Sequence, residues 1–334
     1  MDIKSSSDEP LVSVIIPAFN VEEYISNCLT NVLEQTYSNL QIIVVDDGST
    51  DTTGLICDKW STRDPRITVV HEKNRGLSGA RNHGVSKAIG EYILFLDADD
   101  TLDPETIAST TALAASSNSE LISFDVQPID ISSGNKLSRS ERVSPNPFPI
   151  CQKSTGKECL KFIHAGNLPN LVQTFLYKGT LFYEKGFTFP EEIRFLEDVA
   201  FVNHEFDKIN TVAYIQKRFY RYACNRSDSL TNTKDIKSIT NAFNLIISLS
   251  HNRASYDSDY INYLLNLLFY TETLLFNSND FDKKLDAQMR KEIHKIAPNY
   301  LLKSLSKRNL VKVLLTTFHL FRPSFLLYKH LNRH

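Results

Sequence analysis

The chain is poor in sulfur and carries no surplus of either charge. Its 334 residues include five cysteines, two methionines and one tryptophan, and 37 Lys+Arg stand against 39 Asp+Glu. Cys28, Cys57, Cys151, Cys159 and Cys224 are odd in number, widely spaced and without a C-x-x-C pair. That excludes a disulfide framework and a cysteine-built zinc site, and predicts buried thiols in a reducing compartment. A formal charge of −2 gives no reason to expect a nucleic acid partner. Long apolar runs are also missing. Residues 260–276 come nearest to a spanning helix, but Asn262, Asn266 and Glu272 interrupt them, and a buried packing helix is expected instead. The first ten residues are polar and carry acids, unlike a secretory signal peptide, so a cytosolic location is expected.

What is present centres on residues 91–105. Five apolar residues, Tyr92 to Leu96, predict a strand buried on both faces, the kind found in parallel sheets covered by helices. Polarity then inverts. Asp97, Asp99 and Asp100 crowd onto the strand's carboxyl end, and Asp103, Pro104 and Glu105 are placed to start a helix. Carboxylates at that density repel one another unless a cation sits among them. Asp97 and Asp99 suit Mg²⁺ or Mn²⁺, while a solvated turn before a helix is the plainer alternative.

Around this stretch, residues 11–125 alternate apolar and amphipathic runs, the pattern of βαβ units. Strands are expected at 11–16, stopped by Pro17, and at 41–45, 67–70 and 92–96. The helices between them place Ile25, Cys28, Leu29, Val32 and Leu33, then Leu55, Ile56 and Trp60, at buried positions. The strands end in Asn20, in Asp46-Asp47-Gly48-Ser49, in His71-Glu72 and in the aspartate cluster. Open parallel sheets bind ligands just outside such ends. Residues 72–84 are glycine-rich and basic but contain neither a Walker A loop nor a dinucleotide fingerprint; Arg75 and Arg81 are within reach of an anion, or are solvated loop arginines.

Near residue 125 the alternation stops, and a hairpin or long loop leads into a second region. There Glu197 and Asp198 precede an apolar helical pattern that includes Val199, Phe201, Val202 and Phe206. First-turn acids complement the helix dipole; one of them is also a candidate general base. His204 has no second histidine or cysteine at ligand spacing and is expected to be a surface or packing residue. Residues 219–232 combine aromatics with Arg221 and Arg226, as a lid over an anion or as an edge strand. From Lys234 on the chain reads as helical. Beyond Glu292 there is no acid, while eight lysines and arginines accumulate beside an apolar face of Val311, Leu314, Leu315, Phe318 and Phe321. Such a basic amphipathic tail predicts contact with an anionic membrane, the alternative being a helix folded back on the protein.

Four stretches in order carry a resemblance: Leu11-Val-Ser-Val-Ile-Ile-Pro-Ala-Phe-Asn20, Val44-Val-Asp-Asp-Gly-Ser-Thr-Asp51, Asn74-Arg-Gly-Leu-Ser-Gly-Ala-Arg-Asn82 and Phe95-Leu-Asp-Ala-Asp-Asp100. Together they resemble the family 2 glycosyltransferases. The resemblance implies an α/β GT-A fold, a Rossmann-like, doubly wound and mostly parallel sheet, here followed by a C-terminal helical region. It implies three parts: a nucleotide-sugar half at 1–125, an acceptor region at 126–233, and helices with a basic tail at 234–334. It puts Pro17, Phe19 and Asn20 along the nucleotide, Asp47 at the base with Asp46 near it, and Arg81 in the same pocket. Asp97 and Asp99 form a D-x-D motif, with Asp99 the direct metal ligand and Asp97 nearer ribose and metal. Glu197-Asp198 resembles the family's acidic pair with Asp198 as base, and Arg226 lies in a segment resembling the loop that closes over the diphosphate.

The implied reaction is inverting transfer of a sugar from a UDP-sugar, assisted by Mn²⁺ or Mg²⁺. The tail adds a lipid-linked oligosaccharide acceptor in bacterial surface polysaccharide synthesis and a place on the inner face of the cell membrane. A wall polymer, a protein, a polyprenyl phosphate and a silent scaffold role are the alternatives. A sugar nucleotidylyltransferase is disfavoured, because no G-x-G-T-R-type loop follows the first strand.

Overall fold

A computed structural model describes residues 9–130, 133–137, 154–224, 235–251, 257–278, 281–296 and 305–317. The described residues up to Ile163 and from Asn167 to Cys224 form one compact unit. Those from Asp235 on, with His164–Gly166, form a second.

The first unit opens with the expected alternation: β1 (Val12–Ala18), α1 (Ile25–Leu33), β2 (Leu40–Asp46), α2 (Thr53–Ser61), β3 (Ile67–His71), α3 (Leu77–Lys87) and β4 (Tyr92–Phe95). It continues with β5 (Thr101–Leu102), α4 (Thr106–Ser117), β6 (Leu121–Asp130), α5 (Gly156–His164), β7 (Phe175–Lys178), α6 (Thr180–Tyr183), α7 (Glu197–Glu205) and β8 (Val212–Cys224). One sheet holds all eight strands in the order β3-β2-β1-β4-β7-β6-β8-β5. The first four are mutually parallel, and β7 joins antiparallel to both β4 and β6. Strand order reverses at β1, which has β2 on one side and β4 on the other, so the crevice beyond the carboxyl ends of β1 and β4 is a switch point.

Each central strand divides its side chains between two cores, as a doubly wound sheet requires. Val14, Ile16, Ile42, Val44 and Leu94 pack with α1, α2 and α4 on one face. Ile15, Ile43, Val45, Ile93 and Phe95 pack with α3, α5, α6 and α7 on the other. The second core is aromatic: Phe189 stacks on Phe201 at 4.1 Å between centroids and meets Phe95 edge-on at 5.1 Å. Burying each such ring contributes roughly 1.5–3 kcal/mol before chain entropy is counted.

Several local expectations change. Pro17 does not stop the first strand but lies inside β1, opposite Val45. Ile15 sends its carbonyl to Leu96 N, so the alternate residue Pro17 faces the same side, past the end of β4, where no ladder partner needs its missing N–H. Leu55 is exposed; Cys57 takes the buried position on α2. Helix α4 runs from Thr106, and Asp103 leads into it as expected: its Oδ1 accepts from Glu105 N at 3.2 Å and its carbonyl from Thr106 N at 3.0 Å, while Oδ2 binds Arg221 at 3.0 Å. Residue 125, the expected limit of the first region, falls inside β6. The expected turn after it is there: Gly134 N donates to Asp130 O at 2.8 Å and Lys136 bridges back to Ile129. Residues 219–224 belong to β8, which pairs with β6 along its length; the two-residue β5 covers its other side at Tyr220 and Arg221 only.

The second unit is helical: α8 (Ile236–His251), α9 (Ser258–Asn277), α10 (Lys283–Ile296) and α11 (Lys307–Thr317). Helix α9 buries Leu264, Leu265, Leu268 and Leu275, as expected of a packing helix. No helix among the described residues is long and apolar enough to cross a membrane. On α11 the buried positions are Asn309, Val313 and Thr316, so Val311 and Leu314 face outward. The tail beyond, with Phe318 and Phe321, lies outside the described residues, as do Cys151 and Arg226.

Candidate active site

Beyond the carboxyl end of β4 the chain turns sharply, Asp100 N donating to Asp97 O at 3.0 Å. That turn gives the three aspartates different surroundings. Asp100 is buried; it accepts from Ala223 N at 2.6 Å and from the Tyr220 hydroxyl, which itself accepts from Asp97 N at 3.3 Å. Burial, with Asp99 and Asp97 beside it, pushes the Asp100 carboxyl well up. Asp97 has both oxygens engaged, one by Arg81 at 3.0 Å and one by the Gln173 amide. Asp99 remains half-buried at the tip of the turn.

Arg81 is the hub. It is fully buried on α3, and its guanidinium also binds Asp198 at 2.7 Å and Glu197 at 3.5 Å, while its Cζ stands 5.3 Å above the Phe189 ring. The resemblance implied an arginine lining the nucleotide pocket; here its partners are the protein's own acids. A buried guanidinium without carboxylates against it carries a large desolvation cost, and this geometry removes it.

Glu197 and Asp198 open α7, as the sequence predicts, and two devices aim them. Asn82 on α3 holds the incoming chain by exchanging hydrogen bonds with Phe189, 2.9 Å to its carbonyl and 2.8 Å from its amide. Leu196 then adopts the left-handed region at φ 64°, which costs a residue with a Cβ roughly 1–2 kcal/mol. Backbone strain directly before two acids is a mark of a functional turn. Asp198 Oδ2 also accepts from Val172 N at 3.3 Å. One positive charge faces three carboxylates here, so the cluster retains protons. Burial and the neighbouring Asp198 push Glu197 up to about 8, and burial raises Asp198 despite Arg81.

A second constellation lies beyond β1, β2 and β3. Asp47 is buried, with its two oxygens accepting from Arg75 N at 2.6 Å and Gly76 N at 2.8 Å, and burial raises its pKa. Asp46 accepts from Ser49 N at 3.0 Å and faces His71 Nδ1 at 2.8 Å. Asn20, at φ 51°, accepts from Thr50 N at 2.8 Å and so ties the β1 loop to the β2 loop. Phe19, next to it, is 44 % exposed, an aromatic face set at the mouth of these loops. Arg75 pairs with Glu191 at 2.6 Å instead of waiting for a ligand, and His204 is a surface residue beside Glu205.

Gln173, Val172 N and Tyr220 were not singled out in the sequence. A signal existed for Gln173, an uncharged polar residue between Leu171-Val172 and Phe175-Leu176. Such a residue in an apolar run is buried and needs a partner. As to a metal, among the described residues no three carboxylate, imidazole or thiol groups converge into a protein cage. The donor set still fits a hard divalent cation that takes one or two carboxylates and completes its shell with phosphates, because Asp97 and Asp99, alternate residues beyond the end of β4, are both only half-buried.

The profile of Glycosyl transferase family 2 matches residues 13–168. The uncharacterized glycosyltransferase EpsJ of Bacillus subtilis is 35 % identical over 226 residues, 66 % of this chain and 63 % of that protein. The chain thus spans less than two thirds of that relative, and its match to the glycosyltransferase GlyG of Streptococcus pneumoniae, 38 % identical over 126 residues, covers 37 % of this chain and 42 % of that protein. Among solved structures, S. aureus TarS 1–349 in complex with UDP-GlcNAc superposes with a TM-score of 0.64 at 20 % identity, over 96 % of this chain and 91 % of that one. That likeness establishes the GT-A fold. With the four motifs assembled at the switch point of that sheet, residues 13–168 form a glycosyltransferase family 2 domain.

Proposed function

We propose that the protein transfers a sugar, with inversion, from a UDP-sugar to a hydroxyl of a lipid-linked oligosaccharide during bacterial surface polysaccharide synthesis. The observation that carries the reading is Arg81, which fastens Asp97 of the D-x-D turn and Asp198 of α7 to one buried guanidinium. It holds a donor-side and an acceptor-side carboxylate in fixed register. Asp198 removes the proton of the acceptor hydroxyl. That oxygen bonds to the anomeric carbon as the bond from the anomeric carbon to the β-phosphate oxygen breaks and UDP leaves from the opposite face. An upshifted carboxylate is a better base than an ordinary one, and burial raises Asp198 while the Arg81 guanidinium at 2.7 Å favours its charged form. Asp99, next to Asp97, would hold Mn²⁺ or Mg²⁺, which when bound would neutralise charge on the diphosphate leaving group. Pro17, Phe19, Asn20, Asp46 and Asp47 form the nucleotide side, and Arg226 is assigned to the diphosphate.

Support for the donor comes from TarS, whose structure contains UDP-GlcNAc, and for a metal from the mannosyltransferase PcManGT, whose structure contains GDP-Man and Mn²⁺. Support for a membrane-bound acceptor comes from α11, where Lys307, Arg308, Val311 and Leu314 form one exposed basic and apolar stripe. A second reading of the acceptor, a wall polymer, is favoured by the name of the relative TarS, a poly(ribitol-phosphate) β-N-acetylglucosaminyltransferase.

The test is UDP or GDP release from a panel of nucleotide sugars, with and without Mn²⁺, on lipid extract or on wall polymer. Release from one donor that requires lipid extract, and falls by about 10²–10⁴ in Asp198→Asn, is expected. Undiminished release in that variant removes Asp198 as base, and release on wall polymer alone selects the second acceptor. In the same assay on anionic vesicles, Val311→Glu with Leu314→Glu abolishes partitioning if α11 is the contact.

A further inference from the structure

The loop between β2 and α2 is seated on the chain that leaves β3. Glu72 N donates to Asp46 O at 3.0 Å, and Arg75 N and Gly76 N hold both carboxylate oxygens of Asp47 at 2.6 and 2.8 Å. Gly48, at φ 75°, lies so close that a Cβ would come within 2.9 Å of Asn74 N. Each of these contacts has a backbone group on one side at least, and Asp47, whose pKa burial raises, is the one titrating group among them. A further contact joins side chains only.

His71, the last residue of β3, presents Nδ1 to Asp46 Oδ2 at 2.8 Å and Nε2 to Asp58 Oδ1 at 3.1 Å. The other oxygen of Asp46 accepts from Ser49 N, inside the loop itself, at 3.0 Å. Gly54 leaves the space for this arrangement, since a Cβ there would stand 2.7 Å from Asp46 Oδ2 and 3.3 Å from His71 Cε1. An ionised carboxylate only accepts, so two such partners are satisfied together only when both ring nitrogens donate, as in an imidazolium. The other titratable groups nearby are otherwise engaged. The Cys57 thiol on α2 is pushed up to about 12 by burial and by Asp46. Asp51 accepts from Thr53 N and Glu22 N, and Glu72 faces His83 Nδ1 at 2.9 Å and Arg75.

We propose that His71, held as an imidazolium between Asp46 and Asp58, is a positioning residue for the nucleotide-binding loop, so that affinity for the uridine diphosphate donor is coupled to its proton. The inference rests on the nucleotide reading of that loop given above. Its sign follows from the two hydrogen bonds, to Asp46 first and Asp58 second, which raise the histidine's pKa. The clamp is complete below that raised value and is lost as pH rises through it. Donor affinity therefore falls toward alkaline pH, and by reciprocity bound nucleotide raises the pKa of His71 further.

The experiment measures UDP affinity with Mg²⁺, from about pH 6.5 to about pH 8.5, the range in which a histidine with a raised pKa titrates. Wild type, His71→Gln and Asp58→Asn are compared. Glu197 also titrates in this range but is present in all three chains, so differences among them isolate the clamp. Wild-type affinity is expected to fall about tenfold, as one unit of linked pKa shift gives. His71→Gln binds weakly at the lower pH and lacks this fall. Asp58 is exposed, and Asp58→Asn keeps the ring in place while moving the midpoint to lower pH, a shift that a purely structural histidine would not produce. His71→Gln tracking wild type at every pH, or an unmoved midpoint in Asp58→Asn, overturns the proposal while leaving the nucleotide reading intact. UDP binding at no pH overturns the nucleotide reading, and this proposal with it.

Discussion

At the scale of single residues, the site depends on a side chain that carries no charge. Gln173 binds one oxygen of Asp97 while Arg81 binds the other, so the rotation of the Asp97 carboxylate is fixed from two sides. The turn that carries Gln173, residues 172–174, also supplies Val172 N to Asp198. One short segment thus sets both carboxylates that Arg81 joins. Replacing Gln173 with Leu conserves much of the volume, removes the hydrogen bond and leaves a part-buried charged oxygen unpartnered, a loss of about 1–3 kcal/mol. If Asp97 acts in donor binding or leaving-group departure, Gln173→Leu lowers kcat/KM for the donor by about tenfold or more at temperatures where the variant is still fully folded. Steady-state kinetics at several donor concentrations measure this directly. An unchanged kcat/KM would show that the orientation of Asp97 does not matter to the reaction.

At the scale of elements, α3 does the most. Its N-terminus starts at Gly76, whose φ of 82° lets the chain turn under the β2 loop; its middle supplies Arg81 and Asn82; and Gly84 lets it lie against β1. A Cβ at Gly84 would stand 2.4 Å from Ile15 Cγ2, and Ile15 is fully buried with no room to yield. Gly84→Val is therefore expected to lift α3 from the sheet, destabilising the chain by about 1–3 kcal/mol in urea unfolding and lowering activity with it, because Arg81 moves with the helix. An equally stable variant would mean that the helix has space which the contact with Ile15 does not reveal. The same element shows why the sequence was readable only in part. The strands β1, β2 and β4 announce themselves because burial on both faces leaves runs that are almost wholly apolar, interrupted only by Ser13 and Gln41, and the α7 acids are legible because they open an apolar helical pattern. The insertion of β7 between β4 and β6 and the pairing of β5 with β8 join residues far apart in the chain, and no local pattern encodes them. Arg81 was legible as an arginine near the site. That its partners are Glu197 and Asp198, more than a hundred residues on, follows only from the packing of α3 beside α7.

At the scale of the whole molecule, both units keep buried carboxylates that favour the proton, and these contribute a pH dependence opposite in sign to that of carboxylates held down by their partners, such as Glu120 and Glu158. In the helical unit Glu272 on α9 is fully buried, and neither of its oxygens has a hydrogen-bond partner among the described residues. Burial, with Asp286 nearby, pushes it up to about 8, while Arg290 and Lys312 pull the other way. Arg290 is engaged with Asp286, and Lys312 lies over the Phe269 ring at 4.9 Å, its own pKa lowered to about 8 by burial and by Arg308. Because the folded value of Glu272 lies above its unfolded value, the folded chain binds the extra proton. The stability this gives is complete below about pH 4.5 and is lost as pH rises to about 8. Lys312, lowered to about 8, begins to lose its proton in the folded chain only toward the upper end of that window. Glu197 adds a dependence of the same sign in the first unit. Replacing Glu272 with Gln, which keeps the shape and cannot ionise, should therefore remove a slope of up to about 1.4 kcal/mol per pH unit from the unfolding of the helical unit, while the contribution of Glu197 remains. Urea unfolding between about pH 5 and about pH 8 tests this, the variant gaining stability over wild type as pH rises through the window where only the wild-type side chain must give up its proton. Parallel curves for the two chains would mean that water or a change of rotamer solvates Glu272 and that its carboxylate is not held neutral.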